Sequence, residues 1–358
     1  MRGIGIDVDV LIVGLGPAGA RAAWAVARAG RSVLAVDRRK EAGVPVQCAE
    51  FVPALLGQEF DGLDAVTRQR IKAMITFVED EIPDTKDNFP GRMIDRARFD
   101  ARLVEAARVA GAGCRLGVAL EHVASDGAAT LTDGTTIRPR LLVGADGPRS
   151  LVGRAIGRVN RDLVETRQIT VPLLKPHPAT DIFLAADIPG GYAWLFPKDA
   201  VANLGVGVAP ATRRRLKPLL ERLHHVLIDE GRVGRDILGH TGGPIPVGGL
   251  LEAKGMLDPV PVLLAGDAAG LTNPVTGAGI ASAVISGNLA GEAAAAWLGG
   301  DTDALDAYVD ELDALFRGAL TRALTRRREL LERYRTDRGP TPADLRRGWI
   351  AYDEYWAA

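Results

Sequence analysis

Residues 7–37 read DVDVLIVGLGPAGARAAWAVARAGRSVLAVD, and this stretch decides the fold. Asp7 to Val13 alternates and then runs apolar, as a central strand of a parallel sheet does. After the turn Gly14–Gly19, the alanine-rich run Ala20–Ala29 has helical spacing until Gly30 stops it, and Arg31–Val36 reads as a second strand. This is one βαβ unit of about thirty residues, the opening of a doubly wound, Rossmann-like α/β sheet. In Gly14-Leu15-Gly16-Pro17-Ala18-Gly19, the first glycine permits the tight turn and the second lets a pyrophosphate approach the backbone. The third lets the helix pack closely on the strand, and the helix start offers free N–H groups to phosphate. Asp37, 23 residues after Gly14, suits ribose hydroxyls, with Arg38 beside it. A bound dinucleotide is expected.

Two later turns narrow the choice of dinucleotide. Gly144-Ala145-Asp146-Gly147 closes one strand, and Gly266-Asp267-Ala268-Ala269-Gly270 closes another, followed by Gly277-Ala278-Gly279-Ile280 at a helix start. A nicotinamide dinucleotide alone has no use for further acid–glycine turns, whereas the ribityl chain and ring of FAD do. Asp267 is expected to face the ribityl and phosphate region. Gly277 to Ile280 would aim a helix dipole at the flavin edge that becomes negative on reduction. Taken singly, Asp146 is better read as part of an ordinary strand–helix loop, but three such turns together make that coincidence poor, and Asp146 and Gly147 are expected to bind the cofactor with Gly266 and Asp267.

Between these segments the pattern changes. Ile71–Phe77 and Ile169–Val208 carry β-branched, alternating runs broken by Pro and Gly, which predict an antiparallel sheet. The expected organisation is a discontinuous FAD-binding domain (1–70, 91–155 and 255–300), an inserted, mostly antiparallel substrate domain (71–90 and 156–254), and a C-terminal helical segment (301–358). Helices are expected at Asp95–Ala112 and Gly279–Leu298, and parallel-type strands at Arg140–Ala145 and from Pro259 onward.

The three flavin turns resemble the p-hydroxybenzoate hydroxylase type of FAD fold. Within it, Gly190-Gly191-Tyr192-Ala193-Trp194-Leu195-Phe196-Pro197-Lys198 resembles the YxWxFPK motif of the geranylgeranyl reductase family, matching every fixed position. Val46-Gln47-Cys48-Ala49-Glu50 resembles the family's cysteine segment near the flavin, and Arg96-Ala97-Arg98-Phe99-Asp100 its RxxFD helix start. The resemblance implies that Cys48 and Arg96 lie at the flavin site. Two positions depart from related patterns: Ala278 stands where the family often has glutamate, and Gly270 where aromatic hydroxylases have histidine.

Alternation places Tyr192, Trp194 and Phe196 on one face of a strand, either walling a pocket above the flavin or packing on the domain core. They and Cys48 are the candidate catalytic residues. Lys198 is either a solvated strand end or a ligand of substrate phosphate. Cys48 is either inert packing or a reactive thiol.

Composition is mostly exclusionary. There are 42 glycines in 358 residues, against the ~25 that an average ~7% usage gives, so many close backbone approaches are expected. A net charge of −1 offers no field for nucleic acid. Cys48 and Cys114 lie far apart, and none of the five histidines sits at metal-ligand spacing, so no metal is expected and a reducing, cytoplasmic setting fits. His224-His225 reads as part of a surface helix. The apolar stretch Ala281–Leu298 carries Asn288 and Glu292, which fits a buried helix and not a membrane span. Near the C-terminus, Leu305, Tyr308, Val309, Leu312, Leu315, Phe316 and Leu320 form an amphipathic stripe. Residues 317–347 then carry ten arginines against four acids. A solvated helix face is expected there, with peripheral docking to an anionic membrane or an acidic partner left open.

The leading expectation is an FAD-dependent reductase drawing on NADPH or NADH, which bind transiently because there is no second GxGxxG. Its acceptor would be an isoprenoid C=C bond if the family chemistry carries over. The alternatives are an electron donor to a partner redox protein and an FAD monooxygenase.

Overall fold

The structure is a computed structural model and describes residues 5–54 and 62–357. Five strands run parallel, in the spatial order Gly113–Leu116, Val33–Asp37, Gly5–Val13, Thr136–Gly144 and Val260–Leu264. In chain order these are the third, second, first, fourth and fifth parallel strands, so the winding reverses between Gly5–Val13 and Thr136–Gly144. A ligand crevice opens at the carboxyl ends of the strands flanking such a reversal. Val10, Leu11 and Ile12 are completely buried, as a parallel strand covered on both faces must be.

Helix Pro17–Arg28 begins at Gly16 with proline in its first turn and ends before Gly30, whose φ of +72° suits a left-handed helix stop. Its small residues let helix Ile280–Leu298 approach closely. A Cβ on Gly287 would sit 2.1 Å from the Ala18 carbonyl oxygen, and one on Gly291 would sit 2.5 Å from that of Ala22. The long apolar helix is thus a core element, and among the described residues no helix is long and apolar enough to cross a membrane.

The second large sheet runs Gly239–Thr241, Leu163–Pro172, Val201–Val208, Ala193–Lys198, Ala179–Leu184, Ala73–Val78, Asp84–Lys86. All neighbours are antiparallel except Ala179–Leu184 beside Ala73–Val78. Strands Phe51–Pro53, Gly91–Ile94 and Thr67–Ile71 form a small antiparallel sheet belonging to neither large one.

The C-terminal segment corrects one expectation. Helix Ala304–Leu312 continues through a π-helical stretch, Asp313–Arg317, into helix Gly318–Arg333. Its stripe turns inward: Leu305, Tyr308, Leu312 and Leu320 are buried in the main core, and Val309 and Phe316 pack against it. The Tyr308 hydroxyl donates to the Leu264 carbonyl at 2.7 Å. Arg326 and Arg327, expected on a solvated face, are 5% and 9% exposed, because the chain after Arg333 folds back over them. Leu315 stays exposed, and so do Arg317, Arg322, Arg328, Arg333, Arg335 and Arg338, so the rest of the basic face is solvated as expected. His224 is likewise buried, with Nε2 2.9 Å from the Gly234 carbonyl oxygen, while His225 stays exposed.

Candidate functional site

A cavity of about 800 Å³ lies where the parallel strands end against the second sheet. Gly14, Gly16, Pro17, Ala18, Asp37, Arg38, Cys48, Arg96, Asp146, Gly147, Tyr192, Trp194, Phe196, Gly266, Asp267, Gly277, Ala278, Gly279 and Ile280 all line it. Gly19 is the exception. A Cβ there would lie 1.8 Å from the Gly14 carbonyl oxygen, so its part is close packing of the turn and not contact with the cavity.

The glycines of the first turn differ in their physical reason. Gly14 has φ +99° and faces the Ala145 carbonyl so closely that a Cβ would lie 2.2 Å from its oxygen. Gly16 has an ordinary φ of −73° and, among the described residues beyond its chain neighbours, no atom within 4 Å of its would-be Cβ. Neither conformation nor protein crowding requires glycine at position 16, but a ligand close to the backbone would. Helices Pro17–Arg28 and Ile280–Leu298 both start on this cavity, and neither N-cap residue supplies a side-chain hydrogen bond. Their first N–H groups and positive dipole ends are available to negative charge.

The acids play unequal parts. Asp37 accepts from the backbone N–H groups of Leu15 and Arg39, both at 2.8 Å, and keeps further lone pairs. Asp146 turns into its own helix cap, accepting from Ser150 Oγ, Leu151 N at 2.7 Å and Val152 N at 3.3 Å. Burial pushes its carboxyl up in pKa against those bonds. Burial also raises Asp267, opposed by Thr272 Oγ1 at 2.9 Å and by the Arg96 charge.

Cys48 and Arg96 come together here. Burial pushes the Cys48 thiol up, opposed by the guanidinium of Arg96 and by the N–H of Glu50, which donates to Sγ at 3.1 Å. Burial thus disfavours the thiolate, while Arg96 and the Glu50 N–H favour it. Burial works against the charge of Arg96, yet Asp100, bonded to Nε at 2.7 Å, holds it above the usual guanidinium value.

Tyr192, Trp194 and Phe196 touch in series, with ring centroids 5.6 and 6.2 Å apart. The row extends from Trp349, 4.8 Å from Tyr192, to Phe51, 5.9 Å from Phe196, and on to Phe89. Burial raises the Tyr192 phenol, which donates to the Thr276 carbonyl at 2.7 Å. Trp194 Nε1 donates to Gln168 Oε1 at 3.2 Å, and Gln168 Nε2 donates to the Cys48 carbonyl at 3.2 Å, tying the aromatic strand to the cysteine loop. Gly205, paired with Trp194 in the next strand, makes room for the indole: a Cβ would lie 2.1 Å from Cζ2. Gly205→Ala is therefore expected to displace Trp194 and cost about 1–3 kcal/mol. Thermal melting and a shift in tryptophan emission would check this; an unchanged spectrum would contradict the packing argument.

Lys198 is neither a solvated strand end nor free for phosphate. Its Nζ lies 2.5 Å from Oε2 of the buried Glu50, which also accepts from Asn203 Nδ2 at 3.0 Å, while Oε1 accepts from Arg96 N at 3.0 Å. Glu50, Gln168, Asn203, Arg327 and Trp349 escape a reading by motif. Glu50 does lie in the quoted cysteine segment, but its partners are 148 and 153 residues away.

Comparison with known proteins agrees with this geometry. A family model described as geranylgeranyl reductase catalytic domain matches residues 165–237, and one described as lycopene cyclase protein matches residues 9–162. Digeranylgeranylglycerophospholipid reductase of Methanocella arvoryzae is 34% identical over 349 residues, covering 91% of this chain and 87% of its own. Digeranylgeranylglycerophospholipid reductase 2 of Methanopyrus kandleri is 33% identical over 336 residues, covering 81% and 77%. The chain belongs to the geranylgeranyl reductase family. A geranylgeranyl bacteriochlorophyll reductase-like structure from Thermoplasma acidophilum superposes on this geranylgeranyl reductase family chain with a TM-score of 0.83 at 23% identity, covering 98% of each. A probable FAD-dependent monooxygenase from Pseudomonas aeruginosa has a TM-score of 0.68 at 19% identity, covering 91% and 96%. At such identities the two structures show the fold alone. The monooxygenase alternative is not favoured, because the relatives above 30% identity are reductases.

As a member of this family the chain is an FAD-dependent oxidoreductase. The cavity fits that cofactor: Gly16 leaves open the space a Cβ would fill, and two helix N-termini without side-chain caps meet there.

Proposed function

We propose that this chain reduces carbon–carbon double bonds of an isoprenoid lipid, with NADPH or NADH as electron donor. The observation that carries this reading is the single cavity in which phosphate-suited glycine turns meet a row of buried aromatic rings. The relatives named digeranylgeranylglycerophospholipid reductases supply the substrate class. In this reading the segments 1–70, 91–155 and 255–300 form the FAD-binding unit. Gly14, Gly16, Pro17 and Ala18 hold the pyrophosphate, Asp37 and Arg38 the adenosine ribose, and Gly147, Gly266 and Asp267 the ribityl side. Gly277 to Ile280 present the second helix start to the ring.

FAD, when bound and reduced, would supply the hydride equivalent for one carbon of the double bond, the second hydrogen arriving as a proton drawn ultimately from solvent. The chain supplies orientation and dryness. Tyr192, Trp194 and Phe196 give a prenyl chain apolar surface without backbone polar groups, and Tyr192 keeps its hydroxyl occupied by Thr276. Cys48 lines the same cavity beside Arg96, where burial disfavours its charged form next to an apolar acceptor. The electron-donor alternative drew on the basic C-terminal region, where Arg326 and Arg327 are buried while Arg322, Arg328, Arg333, Arg335 and Arg338 stay exposed.

The test is anaerobic incubation of the FAD-loaded protein with an unsaturated geranylgeranyl glycerolipid and either nicotinamide. Bleaching of the flavin by one of them and a mass gain of two hydrogens per reduced bond are expected. A flavin bleached by neither would remove the nicotinamide part. No mass gain even after dithionite reduction would remove the acceptor.

A further inference from the structure

We propose that Arg327 binds the phosphate head group of the prenyl substrate and sets the preference for a charged over an uncharged chain. This rests on the isoprenoid reading above and deepens it. Helix Gly318–Arg333 buries two consecutive arginines, and their surroundings differ. Arg326 is satisfied: Nη1 reaches both oxygens of Glu329 at 3.1 and 3.0 Å, Nε donates to the Tyr355 carbonyl at 3.0 Å, and Nη2 donates to that of Ala357. Arg327 makes one hydrogen bond, from Nη1 to the Gly190 carbonyl at 2.6 Å, and among the described residues no carboxylate lies within ion-pair distance of it.

A guanidinium carries five N–H donors in a planar fork, and a buried one without a counter-charge costs several kcal/mol. Burial lowers the pKa of Arg327 to about 10, with Asp162 and Tyr334 acting against it, so the group remains a cation at neutral pH. It lines the main cavity with Gly190, Tyr192 and Trp349, and also a small neighbouring cavity of about 30 Å³ bounded by Leu330 and Leu345. The aromatic compartment therefore holds one positive charge that no carboxylate of the described residues contacts directly, Asp162 acting on it only at longer range. A phosphate ester would accept two parallel N–H bonds from that fork. The FAD pyrophosphate has its own cradle at Gly14 and Gly16, where helix Pro17–Arg28 starts, so Arg327 is left for a different anion. Free phosphate and the head of a prenyl phosphate share this chemistry, and the ligands below separate them.

Calorimetric titration of the FAD-loaded full chain with geranylgeranyl monophosphate, geranylgeraniol and inorganic phosphate tests the proposal. The wild type is expected to bind the prenyl phosphate more tightly than the alcohol. Arg327→Met is expected to weaken the prenyl phosphate roughly ten- to a hundredfold and leave the alcohol unchanged, with Arg327→Lys between. Melting temperatures and FAD content are read on the same samples. Equal losses for phosphate and alcohol would overturn the assignment by showing that Arg327 merely anchors the Gly190 turn. Loss of FAD in Arg327→Met would overturn it by placing the charge on the cofactor. Inorganic phosphate binding as tightly as the prenyl phosphate would overturn the head-group part. Binding reads Arg327 without turnover, so a chain that binds as expected yet reduces no double bond would sink the reductase reading and leave this one standing.

Discussion

Gly16→Val is expected to leave the chain folded and to weaken FAD binding by about a hundredfold. Gly14 and Gly19 cannot give so clean an answer, because a Cβ at either would collide with backbone at 2.2 or 1.8 Å and damage the turn itself. At Gly16 the backbone is extended, φ −73° and ψ −172°, and among the described residues beyond its chain neighbours no atom lies within 4 Å of the added carbon. The cost to the apoprotein is a poorer N-cap, about 1 kcal/mol. The cost to the complex is the space a pyrophosphate would occupy and the two or so charge-assisted bonds from helix N–H groups, each worth about 1.5–3 kcal/mol. Flavin absorbance after gel filtration, with melting of the apoprotein alongside, separates the two costs. A variant that retains FAD at wild-type affinity would show that the crevice at the strand reversal does not hold the phosphates. One that fails to fold would show that Gly16 is structural after all.

The half of the cavity lined by the glycine turns was legible in the sequence because its constraints are local. A tight turn and a helix start within six residues demand glycines at Gly14 and Gly19 and leave Gly16 uncrowded between them, and the next strand end brings Asp37 into hydrogen-bond reach of Leu15 N. The aromatic row was legible for the same reason, since period-two alternation puts Tyr192, Trp194 and Phe196 on one side. The glycine surplus was legible only as a number. Part of it faces the cavity, but Gly287 and Gly291 serve the packing of two helices and Gly205 makes room for an indole. Contacts that depend on how distant segments fold together left no local trace. The amphipathic stripe of helix Ala304–Leu312 has the same pattern whether it faces a core or a membrane. Arg326 is buried only because residues 353–357 return over it. The Lys198–Glu50 pair joins the end of one motif to a loop 148 residues earlier, and nothing in either segment names the other.

That pair carries the largest expected effect on stability. Lys198→Met is expected to destabilise the folded chain by about 3–5 kcal/mol, the range found when one partner of a buried ion pair is removed. The two partners are not equivalent. The Glu50 side chain is 6% exposed and sits on a backbone of φ +69°, so it has no route to water without rebuilding the cysteine loop. Lys198 is 20% exposed on a long flexible stem and can redirect its ammonium towards solvent. Glu50→Gln should therefore cost less than Lys198→Met, since the amide oxygen can still accept from Arg96 N while the lysine turns outward. The double variant should recover most of the loss, because no buried charge is then stranded. Urea denaturation of the wild type, the two single variants and the double variant measures this cycle directly. A loss under about 1 kcal/mol for Lys198→Met, typical of solvent-screened surface pairs, would mean that the motif's lysine does not fasten the cysteine loop to the aromatic strand. A large loss that Glu50→Gln fails to relieve would place the role of Lys198 in packing of its stem instead of its charge.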